Sequence, residues 1–231
     1  MRALAAAGLL LLAVHGHSGL PLAGKTVAID PGHNGDNWAH PAEINRLVNA
    51  GGFMKACDTT GTETDSGYTE AAYNFDVATR LERILRAAGA RVVMTRTSND
   101  GVGPCIDERA EIGNRAHANA AISIHADGGP ATGRGFDVIY KPDAPRSYRL
   151  ALAIRKAFAA GTGEPYADYV GHDALDMRVD LGGLNLSTVP KVLIETANMR
   201  NAADATRLES AAYRQREAEA LARGLEAFLL N

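Results

Sequence analysis

The chain has 231 residues, enough for one α/β domain with a sizeable core. Charged residues make up 22% and hydrophobic residues 46%, the balance of an ordinary globular protein. The formal net charge is −3 with no polybasic run, so there is no electrostatic case for a nucleic-acid partner.

At the N-terminus, Met1 and Arg2 precede an apolar stretch over residues 3–14. This reads as a secretory signal segment, too short to span a bilayer, with cleavage expected between Val14 and Ala23. A retained anchor or a buried first helix is the alternative. Residues 1–23 are assigned to the signal and 24–231 to one domain, with no further segment of membrane-spanning length.

Residues 25–30 predict a first buried strand, closed by Pro31, Gly32 and His33. A long loop over 34–69 follows, with glycines at 35, 51, 52, 61 and 67 and the only tryptophan, Trp38. Such a loop is too long for a simple connection; it is expected to be functional and has room for short strands. Glu70 opens a helix with Val77, Leu81, Ile84, Leu85 and Ala88 on one face, ended by Gly89. Residues 91–95 predict the second strand and 107–118 a helix capped by Asp107. Residues 120–125 and 135–140 predict two more strands, with a helix over 147–160. Residues 161–190 read as irregular, 191–195 as the last strand and 202–230 as one closing helix. Strands alternating with helices predict a single-domain three-layer α/β sandwich, its twisted sheet mostly parallel and its helices on both faces.

Four residues carry the chemistry. His33 follows the first strand, His125 closes Ala121-Ile122-Ser123-Ile124, Glu195 closes Val192-Leu193-Ile194, and Glu70 stands at a helix start. His33, His125 and Glu70 each have an ordinary reading by themselves: a turn histidine, a core histidine, an acid complementing a helix dipole. Glu195 resists one, because a carboxylate on a buried strand is costly unless paired or functional. Two histidines and a carboxylate are the ligand set of a catalytic zinc site, and a second carboxylate can move the proton. The set points to a zinc hydrolase. The chain has no His-Glu-x-x-His and no Gly-x-Ser-x-Gly. His40, His117 and His172 read as surface or loop residues. Cys57 and Cys105, the only cysteines, read as one disulfide in a secreted chain, with two free thiols as the alternative.

At these residues the chain resembles the zinc-dependent N-acetylmuramoyl-L-alanine amidases of the amidase-3 type. Val27-Ala28-Ile29-Asp30-Pro31-Gly32-His33 is similar to that family's first ligand motif, and Glu70 with Asn74 to its glutamate motif. Thr95-Arg96, Asp100 and Arg109 are similar to its Thr-Arg…Asp…Arg run, and Ser123-Ile124-His125-Ala126-Asp127 to its second histidine motif. Leu181-Gly182-Gly183-Leu184 and the run from Val189 to Glu195 are similar to its closing segment.

The resemblance implies hydrolysis of the amide between the muramoyl lactyl group and L-alanine. It implies Zn²⁺ on His33, Glu70 and His125, with Glu195 as the catalytic acid–base. The expected substrate is peptidoglycan or muropeptide fragments, met by a monomer secreted to the periplasm or cell wall. The interval from His33 to Glu70 is longer than in a minimal member, and that from His125 to Glu195 has no room for a long regulatory helical insert. Two other readings stand beside this one. A zinc carboxypeptidase would need a basic residue for a terminal carboxylate, with Arg96, Arg109 and Arg178 as candidates. A non-catalytic wall-binding module would close its zinc with four ligands.

Overall fold

Hydrophobic alternation sorts the strands into one sheet with two unlike faces. The fold is seen in a computed structural model that describes residues 19–171 and 173–231. Most of the expected signal segment, with His15, His17 and His172, lies outside the described residues. Residues 19–23 are inside them: Leu22 is buried in the core and its N–H donates to the Ala88 carbonyl at 2.9 Å.

In chain order the elements are β1 (Thr26–Pro31), α1 (Pro41–Ile44), β2 (Leu47–Asn49), β3 (Met54–Ala56), α2 (Glu70–Ala87) and β4 (Arg91–Met94). Then come α3 (Ile106–Arg115), β5 (Ala120–Asp127), β6 (Asp137–Tyr140), α4 (Pro145–Thr162) and β7 (Leu175–Met177). The chain closes with α5 (Gly182–Asn185), β8 (Lys191–Asn198), α6 (Ala202–Leu208) and α7 (Ala211–Leu229). Six strands form one sheet in the order β4-β1-β5-β8-β6-β7, parallel except for the β6–β8 pair. β2 and β3 make a separate antiparallel hairpin inside the long loop.

Side chains alternate along each strand. Val27, Ile29, Ile122, Ile124, Val138, Val192 and Ile194 lie on one face and pack with α2, α4 and α7 into the main core. Asp30, Ser123, His125, Leu193, Glu195 and Asp137 lie on the other. On that second face the helical cover is α3 and α5, which contact β1 and β8. The expected α/β architecture is the one observed.

Local signals account for the helix ends. The Thr69 hydroxyl accepts from the Ala72 N–H and so caps α2. The helix expected from Asp107 starts one residue earlier, with Cys105 as N-cap and its N–H donating to Glu108. The expected continuous closing helix is two helices, because Ser210 caps a new one by accepting from Tyr213. The stretch over 161–190 is not wholly irregular; it holds β7 and α5.

Asp30 organises the second face. Its carboxylate accepts from the Thr95 hydroxyl at 2.7 Å, the Ser123 hydroxyl at 2.6 Å, the Arg109 guanidinium at 2.9 Å and the Lys191 ammonium at 2.9 Å. All five residues are buried. Burial alone would raise the Asp30 carboxyl, but Lys191 and Arg109, helped by Ser123, outweigh it and hold the group well below the usual carboxylate range. Removing one partner from a buried ion cluster leaves uncompensated charge, which costs about 3–5 kcal/mol. Asp30→Asn should therefore lower the urea unfolding free energy by about that amount. Because the folded value is depressed, the Asp30 contribution is complete above about pH 4, where the unfolded carboxyl is ionised. It is lost as pH falls through the folded value. Stability measured against pH should fall steeply below about pH 4 in the parent and more gently in the variant; equal slopes would contradict this role.

Candidate metal centre

His33, Glu70 and His125 come together where β1 ends, α2 begins and β5 nears its end. One Glu70 oxygen lies 3.2 Å from His33 Nε2 and the other 2.9 Å from His125 Nδ1. The imidazoles meet edge to face with centroids 4.9 Å apart. One donor atom from each of the three residues lies within 4.8 Å of the other two. Among the described residues no fourth His, Cys, Asp or Glu joins this group.

Each side chain is positioned by its surroundings. His33 has a left-handed backbone with φ of +57°, an uncommon conformation for a non-glycine residue that costs of order 1 kcal/mol or more. Its carbonyl accepts from Arg109, and its Nδ1 faces Asp58 Oδ1 and the Thr59 carbonyl, each at 3.1 Å. Nε2 is thereby left for the site. Asp58 is itself held by Asn34 at 3.0 Å and Arg109 at 3.4 Å. The buried Glu70 accepts from the backbone N–H groups of Thr62 and Ala126 and from Asn74. Two glycines make room: a Cβ at Gly32 would lie 2.1 Å from the His125 ring, and one at Gly61 would lie 2.8 Å from both Glu70 and His33.

Glu195 reaches the same place through strand register. β8 pairs with β5 so that Glu195 is opposite His125, just before an irregularity that shifts the register. Bulges of this kind re-aim side chains next to active sites. Glu195 Oε2 has no hydrogen-bond partner. Burial first, then Glu70, Asp137 and Asp127, push its carboxyl well above the usual range. A cavity of about 180 Å³ adjoins the site, lined by His33, Asp58 and His125 on one side and by Lys55, Ile106 and Leu181–Leu184 on the other.

The donor set fits a small divalent cation. Two imidazole nitrogens and one carboxylate match a catalytic zinc site, and the Asp58–His33 pair is the outer-shell arrangement that orients such ligands. The electrostatics agree. Burial opposes a charge on His33, but Glu70 and Asp58 outweigh it and push the imidazole up to about 10. Burial alone would raise Glu70, and His33 and His125 hold it well below the carboxylate range. The site is built to enclose positive charge.

Sequence reasoning named His33, Glu70 and His125, which the structure clusters, and Glu195, which it sets opposite His125. It missed Asp58; Asp30 and Lys191 stood only inside the quoted motifs, and Arg109 had a motif place and a candidacy for a terminal carboxylate, with no mutual contact foreseen. The one available signal was that Asp58 follows Cys57. The structure joins Cys57 to Cys105, so Asp58 and the start of α3 are held by the same crosslink. His40 and His117 are exposed and take no part. Trp38 is 75% exposed on a turn next to Asn37, whose side chain donates to the Thr59 carbonyl that also faces His33.

A family model described as N-acetylmuramoyl-L-alanine amidase, Amidase_3, matches residues 27–227. The N-acetylmuramoyl-L-alanine amidase Rv3717 of Mycobacterium tuberculosis is 45% identical over 215 residues, covering 90% of this chain and 88% of that protein. LytC of Bacillus subtilis, another N-acetylmuramoyl-L-alanine amidase, is 29% identical over 87% of this chain and 35% of its own. The crystal structure of the N-acetylmuramyl-L-alanine amidase Ami1 from Mycobacterium smegmatis superposes with a TM-score of 0.86 at 42% identity, covering 90% of this chain and 98% of that one.

Two outcomes follow from this geometry. In the metal-free protein the His33 imidazole should stay charged until about pH 10, as read by nitrogen chemical shifts. Its raised value means that the associated stability is complete below about pH 6.5, the unfolded value, and is lost as pH rises through the folded one. A His33 that titrates near 6.5 would contradict the arrangement. Thiol titration of the denatured, unreduced protein should find neither Cys57 nor Cys105 free.

Proposed function

The chain belongs to the Amidase_3 family of N-acetylmuramoyl-L-alanine amidases, and from that premise we propose that it is zinc-dependent, with His33, Glu70 and His125 as ligands and Glu195 as proton carrier. The bond it cleaves joins the muramoyl lactyl carbonyl to the nitrogen of L-alanine. The reading rests on one observation: Glu195, a carboxylate with one unpartnered oxygen, stands in register with a proposed ligand histidine but outside the three-residue donor set.

Zinc in this site would supply Lewis acidity, lowering a water's pKa toward about 7 and polarising the scissile carbonyl. Glu195 takes a proton from the attacking water as the water oxygen bonds to the carbonyl carbon. It returns that proton to the amide nitrogen as the carbon–nitrogen bond breaks. A carboxyl pushed up by burial suits a group that must both accept and release a proton near neutral pH. Asp58 and Glu70 keep the two imidazoles oriented, and Arg109 holds Asp58 and the His33 carbonyl together. Three donors and a separate acid favour an open catalytic site over the closed four-ligand alternative.

Peptidoglycan or its fragments are the substrate on this reading, met outside the cytoplasmic membrane. The Cys57–Cys105 disulfide supports an oxidising compartment. No helix among the described residues is long and apolar enough to cross a membrane.

The test separates proton transfer from ligation. Glu195→Gln should keep its zinc and lose about 10²–10⁴-fold in turnover, since Gln preserves shape but cannot carry a proton. Glu70→Gln should lose zinc, because a neutral amide replaces a charged ligand. Metal analysis and mass spectrometry of the stem peptide released from a muropeptide, run on the same samples, read both. Near-parental turnover by Glu195→Gln would remove Glu195 from the mechanism.

A further inference from the structure

Asp137 is an anomaly that the reaction as described leaves unused. It is 1% exposed, and neither of its carboxylate oxygens has a hydrogen-bond partner. Orphaned carboxylates in protein interiors are costly and ask for an explanation. Asp137 on β6 is directly opposite Glu195 on β8 in an antiparallel pair. Residues so paired point to the same face with Cβ atoms about 4.5–5.5 Å apart. Asp137 is thus aimed at the place where Glu195 works.

Glu195 Oε2 is likewise unpartnered. The Tyr169 ring lies against Gly129 and Gly133, where a Cβ would come within 2.5 and 2.6 Å of it. Its hydroxyl is near Asp127, Asp137 and Glu195. Asp127 and Asp176 add further negative charge around Asp137, and Arg178 is the cation among these groups. The Arg178 guanidinium is occupied by Asp180, at 2.9 and 2.7 Å. This end of the site therefore gathers acids around one cation, Arg178, that is already paired with Asp180.

We propose that Glu195 and Asp137 together form the seat for the ammonium group of the departing stem peptide, with Glu195 in contact and Asp137 as a positioning residue behind it. The proposal rests on Glu195 being the proton carrier. In hydrolysis the water oxygen joins the carbonyl carbon, the carbon–nitrogen bond breaks, and the proton held by Glu195 passes to the nitrogen. The amine then takes a second proton from solvent, while the new lactyl carboxylic acid releases one. Amide and water become carboxylate and ammonium, and Glu195 is again ionised.

A cation thus arises next to two carboxylates. The uncharged amide of the substrate gains little from Asp137, whereas the nitrogen gains more as positive charge develops on it. Burial, then Asp176 and Asp127, push the Asp137 carboxyl up to about 7, so a neighbouring ammonium would complete its ionisation.

The experiment measures binding to the zinc-loaded protein at equilibrium. The probes are the stem peptide released from a muropeptide and the same peptide N-acetylated. The parent should bind the free-amine form at least about tenfold more tightly, the scale of a charge contact at partly buried distance. Asp137→Asn should bring the two affinities close together, leaving zinc content and affinity for the acetylated peptide unchanged. Asp137→Glu should restore the preference. A merely structural role would shift both peptides alike. Equal binding of the two forms by the parent would overturn the proposal without any variant, as would a preference that survives in Asp137→Asn. Turnover by Glu195→Gln is measured apart from binding, so failure of the proton-carrier reading is distinguishable from failure of this one.

Discussion

The site depends on one buried carboxylate. Asp30 gathers the hydroxyls of Thr95 and Ser123 and the cations of Arg109 and Lys191, and thereby ties the ends of β1 and β4, the middle of β5, the start of β8 and helix α3 to one point. Such a cluster is weak evidence for net stability, since desolvating the charges offsets most of their attraction. Its value lies in geometry. Arg109, fixed by Asp30, also donates to the carbonyls of Pro31 and His33 and to Asp58. The left-handed turn at His33 and the acid that orients its ring are held by the same guanidinium.

The unlike faces of the sheet explain where the chemistry sits. Three long helices cover one face and build the core from aliphatic side chains. Among the described residues the helices packed on the other face are α3 and the one-turn α5. Polar side chains that would be intolerable in the core can therefore line it. The antiparallel entry of β6 matters most here. It sets Asp137 opposite Glu195 and gathers unpartnered acids that a parallel neighbour entering from the other end would have placed elsewhere.

The same arrangement stores cost at the site. A positive φ at His33, orphaned oxygens on Glu195 and Asp137, and glycines pressed against the His125 ring and Glu70 all oppose stability locally. The Cys57–Cys105 crosslink lies beside these features, next to Asp58 in sequence and at the cap of α3 in space. A disulfide closing a loop of this size contributes about 4 kcal/mol by limiting the unfolded chain. Covalent restraint is thus placed where the non-covalent structure is most strained.

The amino-acid sequence by itself pointed to the strands of the main sheet other than β7, to the long helices and to the residues His33, Glu70 and His125 that cluster and Glu195 that pairs with His125. Buried strands leave unbroken aliphatic runs, and His33, His125 and Glu195 each interrupt or end one, while Glu70 opens an amphipathic helical run. Those signals are local and survive without knowledge of neighbours. Only the tertiary structure decided which acids face one another. Asp30, Asp58, Asp137 and Lys191 are single charges with no periodic pattern, and their partners lie tens of residues away. Short strands in the 34–69 loop were allowed for but not placed, and β7 and α5 were not foreseen, for a related reason: elements of three or four residues have too few positions to show a period, and the contacts that stabilise them come from elsewhere in the chain. Asp137 meets Glu195 because of the strand order β4-β1-β5-β8-β6-β7 and the direction of one strand. Order, direction and register are properties of pairing between distant segments, and no run of neighbouring residues contains them.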